Sequence, residues 1–230
     1  MPGSRIGQSD YRIDPGSGRI LTEKTRDARD LIIVTEKLDG SNVAVCKVND
    51  TVIPINRAGY PAHSSHHEVH HQFARWVYNR YEDFHSILRE GEQISGEWLG
   101  MAHGIRYDFY GSREPFVAFD LFNSEKKRYT YSELVNRINF IGVPVVPILW
   151  KKHQACSIED ALDLLGRYGQ YGAQEPAEGC VWRVERDKKC EFLAKFVRDD
   201  MVCGKYLPSV TGQPPVWNYY VGAPKSPEIY

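Results

Sequence analysis

Thr35-Glu36-Lys37-Leu38-Asp39-Gly40-Ser41-Asn42 is the stretch on which the reading of this chain turns. An apolar run, Leu31 to Val34, leads into it, and a β-prone run, Val43 to Val48, leads out. Lys37 therefore falls at the end of a predicted strand, beside a glycine-containing turn. A lysine on a rigid element can be aimed at a reaction partner, but its free pKa of about 10.4 leaves it a weak nucleophile. Partial burial or nearby positive charge is expected to lower that value and free the amine to attack. Asp39 alternates with Lys37, so both side chains can face one side of an extended chain. Gly40 admits close backbone approach. Taken alone, Lys-x-Asp-Gly reads as an ordinary β-hairpin with a solvated lysine, and the case for chemistry has to come from the rest of the chain.

The chain has 230 residues, 42% of them hydrophobic, and a formal net charge of -1. That is enough for one soluble domain with a substantial core. The balanced charge leaves any nucleic-acid binding to a local patch. Cys46, Cys156, Cys180, Cys190 and Cys203 include no CxxC pair and are odd in number. This speaks against a disulfide framework or a zinc knuckle and fits a reducing, cytoplasmic setting. No apolar run reaches membrane-spanning length. The polar start, with Gly3, Ser4 and Arg5, does not read as a secretory signal.

Working outward, residues 1–30 read as a polar segment packed on the body, with Ile20-Leu21 as a short strand. Thr51 to Asn56 follows the turn at Asn49-Asp50 and completes an antiparallel meander with the two strands around Lys37. Residues 64–88 carry Val69, Phe73, Trp76, Val77, Tyr81 and Phe84 at helical spacing, with Ser64 or Ser65 as N-cap and Gly91 as stop. His63, His66, His67, His70 and His71 crowd the first turns. The i, i+4 pairs His66/His70 and His67/His71 have metal-binding spacing, against the alternative of a solvated helix start or a phosphate contact. Residues 92–100 form a strand carrying Glu97 between two glycines, and a loop with His103, Arg106, Tyr107 and Tyr110 follows. Residues 116–122 are strongly β-prone, 131–140 form an amphipathic helix, and 145–149 a buried strand. Ser157 caps a second amphipathic helix over 158–165. Two strands, 178–184 and 191–197, meet at Asp187-Lys188. The Pro/Gly-rich stretch 208–230 reads as an extended arm. No Gly-rich loop precedes a helix in the manner of a P-loop or a dinucleotide fold.

The order of the motifs is Lys-x-Asp-Gly, Arg57, Gly-Glu-Trp-Leu-Gly at 96–100, Phe119-Asp120, Glu178-Gly179-Cys180-Val181 and a late lysine, Lys195. This order resembles the covalent nucleotidyltransferases, the polynucleotide ligases and mRNA capping enzymes, and most of all the ATP-dependent RNA ligase family. The resemblance spans residues 31–198. It implies an α+β nucleotidyltransferase (adenylation) domain over 31–207, with two antiparallel sheets, flanking helices and a nucleotide cleft between the sheets. It implies ATP as the nucleotide, with AMP attached covalently to Lys37, and Mg2+ (or Mn2+) as the metal. Asp39, Asn42 and Arg57 would lie along the ribose and phosphate, Glu97 would bind the ribose, and Phe119 would stack on the purine. Glu178 would assist metal binding and the chemistry, Lys195 would contact the α-phosphate, and Glu36 would help read the base.

The implied reaction is the joining of RNA 5′-phosphate and 3′-hydroxyl ends through an adenylated 5′ end, as in cytoplasmic RNA repair. A small ATP-dependent DNA ligase, and a non-catalytic nucleotide or nucleic-acid-end binding module, are the alternatives. Arg106, Lys126, Lys127, Arg128, Lys151, Lys152, Arg183 and Lys188 are candidates for a nucleic-acid patch, or for a solvated surface. There are two departures. The family's closing Lys-x-Lys is here Lys195-Phe196-Val197, with Arg198 the nearest replacement. Only about thirty residues follow, too few for an OB domain, so the resemblance suggests a minimal ligase or one that borrows its grip from a partner protein.

Overall fold

A computed structural model of the chain describes residues 1, 3–4, 12–109 and 113–222. Arg5, Tyr110 and the end of the C-terminal arm lie outside the described residues. The first described element corrects an expectation. Ile20-Leu21 belongs to helix α1 (Pro15–Thr22), not to a strand. Asp14 caps it by accepting from the Ser17 N–H at 2.9 Å, and Pro15 occupies the first turn, where its missing N–H costs nothing. Leu21 is fully buried and fixes the helix to the body.

Among the described residues, eight strands build two four-stranded antiparallel sheets. The first has the order β6 (Ile148–Lys152), β1 (Leu31–Lys37), β7 (Gly179–Arg186), β8 (Lys189–Val197). The second runs β3 (Thr51–Asn56), β2 (Ser41–Val48), β4 (Gln93–Trp98), β5 (Phe116–Phe122). The expected meander is therefore wrong at its first turn. β1 and β2 lie in different sheets, and Leu38-Asp39-Gly40 carries the chain across. Buried Leu38 pins the crossing, and at Gly40 a Cβ would stand 2.5 Å from the Trp98 carbonyl oxygen. β2–β3 is a true hairpin, with Asn49 and Asp50 both at positive φ, the two-residue turn that matches strand twist. Asp187 and Lys188 do the same for β7–β8.

The helical stretch divides into α2 (Glu68–Tyr78) and α3 (Tyr81–Ile87). It starts later than expected because Ala62–Ser64 form a 3-10 turn and the Ser65 hydroxyl accepts from the His67 N–H at 3.1 Å. Phe73, Trp76 and Phe84 pack with Trp98 and Phe116, ring centroids 5.5–6.4 Å apart. Each fully buried ring contributes up to about 3 kcal/mol. α4 (Tyr131–Ile138) opens on a Thr130–Glu133 capping box, worth about 1 kcal/mol, and Ser157 caps α5 (Ile158–Leu165) as expected.

The buried strand expected over 145–149 is displaced. Val145 bridges to Ala118 of β5, and the chain then crosses to the other sheet as β6, a half-exposed edge strand. After α6 (Pro208–Thr211), the arm lies against the body. Trp217 bridges to Met101, and Tyr219 and Val221 pack on the α2–α3 core. Among the described residues, no helix is long and apolar enough to cross a membrane.

Candidate active site

The cleft is built by register. On the first sheet, Thr35, Val181 and Lys195 stand in one row across β1, β7 and β8, and Lys37, Gly179 and Val197 in the next. On the second sheet, Asn42 is paired with Glu97 across β2 and β4. A bulge in β5 opposite Ser95/Gly96 leaves Phe119 unpaired. A bulge seats two residues against one, so Phe119 and Asp120 both reach the cavity. This cavity, about 610 Å³, lies between the sheets and brings together Glu36, Lys37, Asp39, Asn42, Arg57, Glu97, Phe119 and Lys195. Glu178 stands behind them, its Oε2 2.5 Å from Lys37 Nζ.

The electrostatics correct the expectation for Lys37. Burial pulls the ammonium down, but Glu178, Glu97 and Asp39 outweigh it and hold its pKa above the ordinary lysine value. The nucleophile candidate is thus kept protonated by its carboxylates. Those carboxylates bear the opposite strain. Burial pushes Glu97 up to about 8 against the pull of Lys37, and burial also raises Glu178, again opposed by Lys37. Glu97 Oε1 accepts from the Gly40 N–H at 3.0 Å, which ties it to the crossing segment. Asp39 is fixed as well. Its Oδ2 accepts from the Gly104 N–H at 2.6 Å, and its own N–H donates to the Tyr107 hydroxyl at 2.9 Å.

Glu36 borders the cavity, but its side chain projects from the face of β1 opposite Lys37, so its carboxylate does not share the cleft with the Lys37 amine as the expected base-reading position requires. Its buried carboxylate accepts from the Gln170 N–H at 2.7 Å, and burial raises its pKa to about 7. The side chain is held by the 169–171 loop. Gly169, at φ +64°, is required there, since a Cβ would stand 2.0 Å from Glu36 Oε1.

The structure also shows residues that sequence reasoning misplaced. Arg183 is not a surface cation. It is buried, with Nη2 2.6 Å and Nη1 3.0 Å from Asp120 Oδ1, and it joins β7 of one sheet to β5 of the other at the floor of the cleft. Arg183 and Leu193, paired across β7 and β8, line the cavity, a placement that strand alternation from Lys195 and Val181 could have revealed. Other members of the expected patch sit on separate edges, Arg106 on Glu175 and Lys127 on Glu125. Val197 is buried among Met201, Leu38 and Ile105. Arg198 turns away to Asp200 at 2.8 Å and lines a different, smaller hollow. The paired-histidine metal site is not formed. His66 and His67 precede α2, and no group of three or more metal-ligating side chains occurs among the described residues. Two histidines do reach the cleft, His70 from α2 and His103 from the loop after β4.

The RNA ligase family profile matches residues 30–197. The chain belongs to the RNA ligase family. The solved structures it resembles include an archaeal ATP-dependent RNA ligase, with 21% identity, a TM-score of 0.52, and coverage of 74% of this chain and 43% of that one. A Naegleria gruberi RNA ligase mutant with ATP and Mn gives 21% identity, a TM-score of 0.54, and coverage of 75% and 51%. Another mutant of that ligase, with AMP and Mn, gives 21% identity, a TM-score of 0.51 and the same coverage. At this identity the likeness is one of fold, and this RNA ligase family member spans about half the length of the ligases it matches or less. No curated protein matches it.

Proposed function

We propose that residues 31–207 form the nucleotidyltransferase domain of an ATP-dependent RNA ligase, with Lys37 as the residue that accepts AMP. The observation that carries this reading is the convergence on one cleft of a lysine and its carboxylate partner, 2.5 Å apart, with Glu97, Arg57, Phe119 and Lys195 on the surrounding walls. The Lys37 amine, once deprotonated, attacks the α-phosphorus of ATP. A P–N bond forms and the P–O bond to pyrophosphate breaks. The AMP then passes to an RNA 5′-phosphate, and attack by a 3′-hydroxyl on that activated end releases AMP.

Each wall residue has a physical task in this scheme. Phe119 offers a flat apolar face to the purine. Asn42 and Glu97, paired across β2 and β4, present an amide and a carboxyl to the ribose hydroxyls. Arg57 and Lys195 stabilise the charge that develops on the phosphate oxygens. Glu178 holds Lys37 in place, and as the adjacent carboxylate it is suited to receive the ammonium proton before attack.

The donor set also suits a divalent cation. Glu97 and Glu178 are carboxylates whose anionic forms burial disfavours, and hard oxygen ligands are what Mg2+ or Mn2+ takes, completed by waters and phosphates. Bound there, such a cation would supply neutralising charge to the phosphates. The described parts of the N-terminal segment, within 12–30, and of the arm, within 208–222, serve in this reading as packing elements around the domain. RNA is favoured over DNA as substrate by family membership.

Nick sealing tests the reading. Matched nicked duplexes, with a 5′-phosphate and 3′-hydroxyl on RNA or on DNA, are incubated with the protein and ATP. The expected result is sealing of the RNA nick, lost in Lys37→Ala. Equal sealing of the DNA nick would favour the DNA ligase alternative, and sealing by Lys37→Ala would end the proposal.

A further inference from the structure

The cleft has too few cations for the charge it is proposed to receive. A triphosphate brings three phosphate groups. The register position beside Gly179, in the row of Lys37, is occupied by buried Val197, and Arg198 is engaged with Asp200. Arg183 is consumed by Asp120, and Lys37 by Glu178. Arg57 and Lys195 are the other permanently charged side chains lining the cavity among the described residues, two cations for three phosphates.

The same cavity carries two imidazoles whose positions are set by serine hydroxyls. His103 Nε2 lies 3.2 Å from Ser41 Oγ, at the start of β2 and two residues after Asp39. His70 Nδ1 lies 2.7 Å from Ser65 Oγ, which leaves its Nε2 side for another partner. Each ring has one nitrogen held by a hydroxyl, and in the tautomer in which that nitrogen accepts, the other nitrogen carries the N–H that can donate. They come from different elements, α2 and the loop after β4, and line the same cavity as Arg57 and Ser41. The groups that bear on them are also defined. Asp39 and Lys37 act on His103, and His67, His71 and His103 act on His70. Burial holds both rings below the ordinary histidine pKa. An incoming anion would favour their protonation and strengthen the contact.

We infer that His70 and His103, with Arg57, form a phosphate-binding subsite that stands in for the missing second lysine of the cleft. The chemistry it recognises is a phosphate oxyanion not covalently held by Lys37. In the reaction proposed above, two groups have that chemistry, the pyrophosphate portion of ATP and the 5′-phosphate of an RNA end. The inference rests on that reading for the identity of its ligand, but its geometry does not depend on Lys37 reacting.

The test uses the full chain, with sodium pyrophosphate as probe and binding read by titration calorimetry, for wild type, His70→Gln, His103→Gln and the double variant. Thermal melts confirm that each variant folds. A charge-assisted hydrogen bond to an anion is worth about ten-fold in affinity. The expected result is a loss of about ten-fold in each single variant and more in the double variant, with AMP affinity changed less than two-fold. A 5′-phosphorylated oligoribonucleotide and its 5′-hydroxyl twin then identify the source. If the phosphorylated strand displaces pyrophosphate and also weakens in the double variant, the subsite serves the RNA end. If pyrophosphate alone responds, it serves the leaving group. Unchanged binding of both probes in a folded double variant overturns the inference. Intact mass after ATP treatment is measured on the same wild-type sample. Histidine-dependent pyrophosphate binding without an AMP adduct would defeat the nucleotidyltransferase reading and leave the subsite standing. An adduct with no histidine dependence would do the reverse.

Discussion

Replacing Asp120 with alanine should cost this protein more stability than any surface change of similar size. Asp120 Oδ1 holds Arg183 at 2.6 and 3.0 Å, and its Oδ2 holds Arg128 Nε at 2.9 Å. Asp120 and Arg183 are both about 5% exposed, so solvent screens their interaction little. They belong to β5 and β7, in opposite sheets, and therefore join the two walls of the cleft. Removing the carboxylate leaves a guanidinium buried with Glu185, 3.3 Å away, as its remaining counter-charge. Breaking a buried pair of this kind costs about 3–5 kcal/mol, most of it the penalty for the stranded charge. With Glu185 still in place, the low end is the better estimate. In a chain of this size each kcal/mol moves Tm by about 2–4 °C, so Asp120→Ala should lower Tm by roughly 10 °C in a calorimetric scan. Arg183→Met combined with Asp120→Leu should recover most of the loss, because no charge is then stranded. A Tm within about 2 °C of wild type for Asp120→Ala, or no recovery in the double variant, would refute the claim that this pair clamps the sheets.

The carboxyl of Glu36 makes stability depend on pH. Its folded pKa, raised by burial from about 4.5 to about 7, means that the fold prefers the protonated form. Its contribution is complete below about pH 4.5 and is lost as pH rises through 7, to the extent of about 3 kcal/mol. Urea titrations at pH 5 and pH 8 should therefore differ more in wild type than in Glu36→Gln, and equal pH dependence in the two proteins would contradict the assignment. Gly169→Ala should destabilise by about 1–3 kcal/mol, since it combines positive φ with a clash on Glu36. In a Glu36→Ala background the clash disappears, and the cost should fall to about 1 kcal/mol; a cost unchanged by that background would show that the two positions are not in contact. The capping box of α4 predicts that Thr130→Ala lowers stability by about 1 kcal/mol, read as a shift of the urea midpoint at constant slope, and no shift would argue against the box.

Much of this architecture is legible in the sequence because local chemistry specifies it. Asn49-Asp50 can only be a tight hairpin between two β-prone runs, and Ser157 followed by Glu159 and Asp160 announces a helix start. The candidate site is legible as an order of motifs, and the structure assembles its residues from both sheets around one cleft. What the sequence hides is tertiary. Whether β2 returns along β1 or crosses to a second sheet depends on Trp98 closing over Gly40 from a distant part of the chain, and no local rule contains that contact. Arg183 reads as a surface charge until Asp120 is known to lie opposite. The direction of the Lys37 pKa shift is hidden for a similar reason, because burial alone lowers a lysine and two of the three carboxylates that reverse it, Glu178 and Glu97, come from distant segments. The α1 helix, by contrast, was available in the sequence. Asp14-Pro15 followed by Ser17 is an N-cap signature, and the glycines at 16 and 18 obscured it.

The central claim is that Lys37 becomes covalently linked to AMP. The most direct measurement is intact-protein mass spectrometry after incubation with ATP and a divalent cation, followed by peptide mapping, with Lys37→Ala alongside. The account predicts one added AMP per chain, located on the peptide that contains Lys37 and absent from the variant. An unmodified wild-type protein, after prior treatment with pyrophosphate to strip any resident AMP, would contradict it, as would an adduct that persists in Lys37→Ala.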